Sequence, residues 1–214
     1  MATKEILITT GPTWVALDAV RVITNRASGK TGIILAKQLI KKGFKVTLLL
    51  GPVTDSQIEV PSAVKVIRFQ FFEELENTLL GMLKRKRYHA VIHSAAVSDY
   101  KPAKITPFKI PSGKKSLSLK LYPTNKIVNK IKKISPQTIL TAFKFEPMIK
   151  DARLLKEAKS LMRKSQANIV IANTTRHEKY RAFVLSENKI SKAFSSKKTL
   201  SRELARIIAQ KIHD

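Results

Sequence analysis

Short apolar runs alternate along the chain with longer stretches of helical spacing. Lys4 to Thr10 (KEILITT) is β-branched and apolar, the pattern of a buried strand. A polar loop, residues 11–32, runs into a helix from about Gly29 to Lys42. That helix has Ile33, Ile34, Ala36, Leu39 and Ile40 on one face and Gly43 as its stop. Val46 to Leu50 and Val64 to Phe69 read as two further strands, Phe72 to Lys84 as an amphipathic helix, and His89 to Ser94 as a fourth strand. Strands alternating with helices of this length predict an α/β fold, a mostly parallel sheet with crossover helices on its faces.

The middle changes character. Residues 101–150 hold twelve Lys and one acid, Glu146, and are punctuated by Pro102, Pro107, Pro111 and Pro123. Leu117, Leu119 and Leu121 alternate with polar residues, which predicts an antiparallel strand with one wet face. The segment, about residues 101–134, therefore reads as a basic flap or ribbon excursion from the sheet. Regular order returns with strand Thr138 to Phe143, helix Asp151 to Lys164 and strand Asn168 to Ala172. A hairpin follows, Ala182–Leu185 and Ile190–Phe194 across Ser186-Glu187-Asn188. A last helix, Thr199 to Ile212, carries Leu200, Leu204, Ile207, Ile208 and Ile212 on one stripe.

The length, 214 residues, suits one domain over residues 1–214, and 43% hydrophobic with 26% charged residues is an ordinary globular balance. No apolar run approaches the length of a membrane span, and the N-terminus MATKEILITTGPT lacks the pattern of a secretory signal. There is no cysteine, which excludes disulfides, thiolate catalysis and Cys-ligated zinc and makes a cytoplasmic location the default. Charge changes the picture more. Lys and Arg number 41 against 15 Asp and Glu, a formal +26, and a field of that sign draws anions. Thirty of the bases are Lys, however, whereas sequence-specific nucleic-acid readers lean on the planar Arg fork. No aromatic ribonucleoprotein motif or helix-turn-helix pattern is visible. A basic nucleic-acid-binding protein is the alternative reading, with the charge as its sole support. A nicotinamide-dependent reductase lacks its glycine fingerprint here, and Tyr100 and Lys104 lie in a Pro-broken loop.

Four places carry candidate chemistry. The first strand ends in Thr9-Thr10-Gly11-Pro12-Thr13, where a strand, a loop and a helix start would place unpaired N–H groups around a phosphate. The spacing fits neither G-x-G-x-x-G nor G-x-x-x-x-G-K-[ST], and a glycine for a tight turn explains it as well. Further along, Asn25-Arg26-Ala27-Ser28-Gly29-Lys30-Thr31-Gly32 offers Ser28 as a cap, Gly29 and Gly32 for close approach of a ligand oxygen, and Lys30 for charge. Arg21 and Asn25 share a face if that stretch makes a turn of helix. A long polar loop inside a compact sheet points to an anion site, beside the plainer reading of an N-cap with a solvated lysine. The fourth strand ends His93-Ser94-Ala95-Ala96-Val97-Ser98-Asp99-Tyr100, whose small residues leave room for a flat ring on backbone with N–H and C=O free to read its edge. Asp99 fits ribose hydroxyls, a metal or a turn cap, and His93 reads as a packed histidine rather than a catalyst. Lys109, in the Lys-rich excursion Pro107-Phe108-Lys109-Ile110-Pro111-Ser112-Gly113-Lys114-Lys115, lies on a loop that would close over a triphosphate, while a solvated charge run accounts for most of its neighbours.

Three motifs in this order and spacing resemble the phosphopantothenoylcysteine synthetases, the phosphopantothenate–cysteine ligases of coenzyme A biosynthesis, in their stand-alone bacterial form. They are Ile8-Thr9-Thr10-Gly11-Pro12-Thr13, Asp18 to Lys30 (DAVRVITNRASGK), and His93 to Pro102 (HSAAVSDYKP). The resemblance implies a Rossmann-like sheet and a homodimer in which a strand or flap of one subunit completes the other's site. It implies CTP as co-substrate and Mg²⁺ as cofactor, with 4′-phosphopantothenate and cysteine as substrates, no membrane or nucleic-acid partner, and a separate phosphopantothenoylcysteine decarboxylase as a possible companion. The reaction it implies passes through an acyl-cytidylate, with release of pyrophosphate and then CMP.

Carried over by position, the resemblance assigns catalytic roles to Arg21, Asn25, Ala96 and Lys109. It assigns nucleotide binding to His93, Ser94, Ala95, Asp99, Lys109, Thr124, Asn125, Lys126, Ile127, Phe143 and Lys164, with Lys159 as the nearest helical partner of Lys164. Gly11, Ser28, Gly29, Lys30 and Gly32 fall to the substrate phosphate. The metal ligands are not assigned. The chain departs from the family pattern at Pro12 in Gly-Gly-Thr, at Thr124-Asn125-Lys126-Ile127, where Lys126 replaces an acid, at Pro111-Ser112 in Lys-Ile-Lys-Lys, and at Thr174 in Ala-Asn-Asp.

Overall fold

Ile6 and Ile8 of the first strand face one side of a sheet and Leu7 the other, all with no exposed surface, as strand alternation requires when both faces are covered. The computed structural model describes residues 3–53, 59–113, 115–187 and 189–213, so Lys114 and Asn188 lie outside the described residues. In chain order the elements are β1 (Glu5–Thr10), β2 (Trp14–Ala16), β3 (Val22–Thr24), α1 (Lys30–Ile40), β4 (Lys45–Leu50), β5 (Lys65–Arg68), α2 (Phe72–Arg85), β6 (Ala90–His93), β7 (Tyr100–Pro102), β8 (Leu121–Pro123), α3 (Val128–Ile134), β9 (Ile139–Phe145), α4 (Asp151–Ser165), β10 (Ile169–Arg176), β11 (Lys179–Ser186), β12 (Lys189–Ile190) and α5 (Lys197–His213).

Eight strands form one sheet in the order β12-β11-β10-β9-β6-β1-β4-β5. The pairs from β5 through β10 are parallel, and β11 and β12 are antiparallel. From β1 the chain winds outward to β4 and β5, then returns across β1 to β6, β9 and β10. The reversal falls between β1 and β6, the crevice where doubly wound sheets bind ligands. One core packs α1 and α5 against Ile6, Ile8, Val46, Leu48, Ile92, Ile169 and Ile171. The other packs α2, α3 and α4 against Leu7, Leu49, Val91, Leu140 and Val170. The α/β, Rossmann-like expectation is met.

Three local details depart from expectation. The polar loop after β1 contains a two-stranded antiparallel ribbon, Trp14–Ala16 against Val22–Thr24. The strand expected through Leu117, Leu119 and Leu121 shortens to Leu121–Pro123, paired with Tyr100–Pro102, and both Leu117 and Leu119 are exposed. Pro123, which has no N–H to give a ladder, closes it. A seven-residue helix, α3, follows at once. The expected hairpin of Ala182–Leu185 with Ile190–Phe194 is present, with Leu185 opposite Ile190 and with Ala182 and Phe194 exchanging N–H···O bonds at 2.9 and 2.8 Å, while β11 is longer than expected and also pairs along β10 from Ile169–Ser186 to Arg176–Lys179.

The start of α1 sits hard against the end of β1. A Cβ at Gly32 would lie 2.4 Å from Thr10 Cβ, and Gly29, at φ +70°, occupies the left-handed region that glycine tolerates. The Thr10 hydroxyl donates to the Gly29 carbonyl at 3.0 Å. Gly32→Ala is therefore expected to lower unfolding free energy by about 1–3 kcal/mol, the usual cost of an overpacked contact. Denaturant titration checks this, and because Thr10 Cβ itself is in the way, Thr10→Ala in the same chain should restore only part of the loss.

Candidate functional site

β1 and β6 continue side by side past their ladder. Ser94 N–H donates to Thr9 O at 3.0 Å, Ala96 N–H to Gly11 O at 2.9 Å and Thr13 N–H to Ala96 O at 3.3 Å. Buried side chains lock the seam: Ser98 N–H donates to Thr13 Oγ1 at 2.9 Å, Thr13 Oγ1 lies 3.2 Å from Ser98 Oγ, and Thr124 Oγ1 donates to Ser98 O at 2.7 Å. Asn25, one residue past β3, donates through Nδ2 to Ala96 O and Val97 O, both at 3.1 Å. Two carbonyls facing one nitrogen fix the orientation of that amide.

This corrects one expectation. The Ser94 and Ala96 N–H groups are used within the seam, and Ala95 N–H points at Thr9 Oγ1 at 3.4 Å. The stretch thus offers a ligand small apolar surface rather than donors.

Beside the seam opens a cavity of about 960 Å³. Of the residues singled out in the sequence, Gly11, Asn25, Ser28, Gly29, Lys30, His93, Ser94, Ala95, Ala96, Asp99, Asn125, Lys126, Ile127, Phe143 and Lys164 line it. Five do not. Gly32 is buried under Thr10. Thr124 is a buried clasp, its N–H also donating to Asp99 O at 2.9 Å. Lys159 is off the face of α4 that Glu157, Ser160, Leu161 and Lys164 turn to the cavity. Arg21 and Lys109 lie on the ribbon side.

Arg21 and Asn25 share no helical turn, because β3 runs between them. Arg21 Nη1 donates to Asp18 Oδ2 at 3.0 Å and to Ile110 O at 3.3 Å, and Ile110 N–H donates back to Asp18 Oδ2 at 3.0 Å. Burial opposes the Asp18 charge, but the Val20, Ile110 and Arg21 N–H groups and the guanidinium outweigh it and hold the carboxyl below its ordinary pKa. Lys109 is exposed next to this anchored residue. Nor does Ser28 cap α1 in the expected way: Gly29 is the cap residue, and Ser28 Oγ is 3.5 Å from Lys30 N.

Charge is the cavity's dominant feature. Arg26, Lys30, Lys126, Lys144, Lys164 and Lys197 line it, against the carboxylates of Asp99 and Glu157. Lys126, standing where an acid was expected, meets Asp99 Oδ1 at 2.6 Å, and Lys144 meets Glu146 at 2.7 Å. Sequence reading missed Lys144, Lys197, Asn173, Thr175 and Tyr180. One signal was available. The β10 positions facing α1 and α5 run Ile169, Ile171, Asn173, Thr175, and the switch from apolar to polar marks where the strand leaves its helical cover. Among the described residues no group of three His, Cys, Asp or Glu could hold a metal ion, and no helix is long and apolar enough to cross a membrane.

His93 is the buried titratable group of the site. Its Nδ1 lies 2.8 Å from Thr9 Oγ1, and burial pulls its pKa from 6.5 down to about 4. The ring is neutral near pH 7, a hydrogen-bonding group and not a cation. Because the folded pKa is the lower one, the unfolded chain binds more protons between the two values, and stability falls as pH drops from about 6.5 towards 4. Denaturant titrations at pH 7.5 and 4.5 should show a loss larger by about 2–3 kcal/mol in the wild type than in His93→Gln. Equal losses would place the imidazole in contact with water.

Residues 1–214 match the family model described as DNA/pantothenate metabolism flavoprotein C-terminal domain. The coenzyme A biosynthesis bifunctional protein CoaBC of Thermococcus kodakarensis is 33% identical over 215 residues, 99% of this chain and 50% of that protein. The CoaBC of Methanocaldococcus jannaschii is 28% identical over 94% of this chain and 49% of its own length. The chain thus spans about half the length of these curated relatives. Among solved structures, the DNA/pantothenate metabolism flavoprotein from Streptococcus pneumoniae superposes with a TM-score of 0.86 at 26% identity, covering 98% of this chain and all of that one. A Cab2 variant in complex with phosphopantothenate-cysteine has a TM-score of 0.80 at 17% identity, over 98% of this chain and 86% of the other, a likeness of fold.

Proposed function

The chain belongs to the DNA/pantothenate metabolism flavoprotein C-terminal domain family, and from that premise we propose that it is a phosphopantothenate–cysteine ligase that uses CTP. The observation that carries this reading is the convergence of all three motif segments on one cation-rich cavity at the sheet's switch point. In the first step a carboxylate oxygen of 4′-phosphopantothenate attacks the α-phosphorus of CTP, the bond to the bridging oxygen breaks, and pyrophosphate leaves. In the second the amine nitrogen of cysteine attacks the acyl carbon, the acyl C–O bond breaks, CMP leaves, and the amine gives up a proton.

Neither step needs a protein nucleophile. Position and charge neutralisation supply the rate, which suits a site of lysines without cysteine. Ser28, Gly29 and Lys30, with Gly11 beside them, take the phosphopantothenate phosphate at the start of α1, where Gly29, Lys30 and Thr31 line the cavity. Phe143, Lys164, Asp99 and the His93–Ala96 floor take the nucleotide, helped by Asn125, Lys126 and Ile127. The Nδ2 hydrogens of Asn25 are committed to the seam, which leaves Oδ1 to accept from the attacking amine. Lys109 brings a positive charge to the α-phosphoryl group, with Arg21 holding the base of its loop. Asp99 and Glu157 are too few for a protein-only magnesium cage, but one carboxylate with phosphate oxygens and water is a common magnesium environment. Asp99 would be that carboxylate, and the ion would offset phosphate charge.

The second copy that the family resemblance implies has a surface to cover: Val20, Tyr100, Phe108, Leu121 and Tyr122, all on the ribbons or the loop between them, are exposed apolar side chains. We expect a homodimer through these ribbons, and the double substitution Leu121→Glu with Tyr122→Glu should halve the mass seen by sedimentation.

With CTP, magnesium, 4′-phosphopantothenate and cysteine, the protein is expected to release pyrophosphate and CMP. Lys109→Ala should slow pyrophosphate release by about 10²–10³-fold. Asn25→Ala should let the acyl-cytidylate accumulate, as chromatography of quenched reactions would show. Normal turnover by both variants would overturn the residue assignment, and absence of pyrophosphate from CTP and from ATP would overturn the ligase reading.

A further inference from the structure

Beside Lys30, already placed at the phosphopantothenate phosphate, the far end of the cavity holds groups that the steps above do not use. α1 and α5 lie side by side on one face of the sheet, so their first residues, Lys30 and Lys197, are neighbours at the cavity rim. Lys197 is half-buried, and its Nζ stands 6.0 Å from the centre of the Tyr180 ring. Desolvation first and the charge of Lys30 second push its pKa below the usual lysine value. No carboxylate forms an ion pair with Lys197 among the described residues. The Asn173 Oδ1 and Tyr180 hydroxyl, on cavity-lining residues at this end, are buried with no hydrogen-bond partner among the described residues.

An ammonium that is half-buried and without an ion pair among the described residues is unfavourable in the protein alone. Lys197 also sits at a helix start, where the dipole disfavours a cation. A bound anion reverses both costs. We propose that Lys197, seated on the Tyr180 ring and acting with Lys30, is a binding residue for phosphoryl oxygens at the β10–β11–α5 end of the cavity. The assignment rests on the ligase reading for the identity of the ligand, either the terminal phosphoryl groups of the nucleoside triphosphate or the phosphate of 4′-phosphopantothenate.

Binding measured without turnover separates this claim from the ligase reading. Inorganic pyrophosphate and 4′-phosphopantothenate are titrated calorimetrically, in separate experiments, into the wild type, Lys197→Gln and Lys198→Gln. Lys198 is the exposed neighbour and controls for net charge. Lys197→Gln should weaken one of the two ligands about tenfold or more, and the ligand affected identifies which phosphoryl group sits there. Lys198→Gln should change neither by more than twofold, and the unliganded Tm of Lys197→Gln should stay level or rise. Unchanged affinity for both ligands, an equal loss in Lys198→Gln, or a lowered unliganded Tm would each overturn the assignment.

Discussion

At the topological switch the strands that part company, β1 and β6, are held together beyond their last ladder bond by Thr13, Ser98, Thr124 and Asn25. A doubly wound sheet leaves a crevice there because its crossovers run to opposite faces. The seam decides what kind of crevice it is. By consuming the N–H groups of Ser94 and Ala96 it makes the floor chemically passive, and it delegates recognition to side chains at the rim. Its Thr13, Ser98 and Thr124 contacts are buried, so removing one of those partners strands another at roughly 1–3 kcal/mol, whereas the Asn25 contacts are exposed. The loop after β1, the loop after β6 and the β8–α3 connection therefore order as one unit.

The charge that the rim supplies is drawn from separate places in the chain. Lys30 opens α1, Lys126 precedes α3, Lys144 lies in β9, Lys164 ends α4 and Lys197 opens α5. Only the winding of the sheet brings them together. The uniform excess of +26 would make a solvated lysine unremarkable anywhere, and what distinguishes these is placement. Lys164 near a helix C-terminus is favoured by the dipole, whereas Lys30 and Lys197 at helix starts are not. The dipole does not choose lysine there, and the fold gains from any anion that binds it, in proportion to RT ln(1 + [L]/Kd).

What could be read from the sequence follows from what has a period. β1, α1, β4, α2, β6, β9, α4 and α5 each bury a continuous face, and each is visible as an apolar run or stripe. β2, β3, β7 and β8 are three residues long with exposed Val22, Tyr100, Leu121 and Tyr122, so no burial pattern marks them. α3 is too short for a stripe, with Ile131 its fully buried residue. The site divides the same way. The motif loops were legible as local signals, but Tyr180 and Lys197 approach the cavity only because β11 runs antiparallel beside β10 and α5 folds back over both. The reading of free N–H groups at Ser94–Ala96 failed because pairing past a strand end leaves no trace in residue type.

Asp18 sets a limit on how Lys109 can act. Its carboxylate is buried with no side-chain exposure and grips Ile110 N–H at 3.0 Å, while Arg21 holds Ile110 O. Adjacent Cα atoms are about 3.8 Å apart, so the Lys109 backbone cannot travel far while that grip lasts. A swing of the loop tip alone does not carry the ammonium any great distance. For the role proposed for Lys109, its charge would have to reach a phosphate either by the β2–β3 ribbon and the loop moving as one body, or by a second copy presenting its cavity to a lysine already in place. Under the proposed homodimer, the exposed apolar side chains on these same ribbons favour the second route, since covering them and delivering Lys109 would be one event.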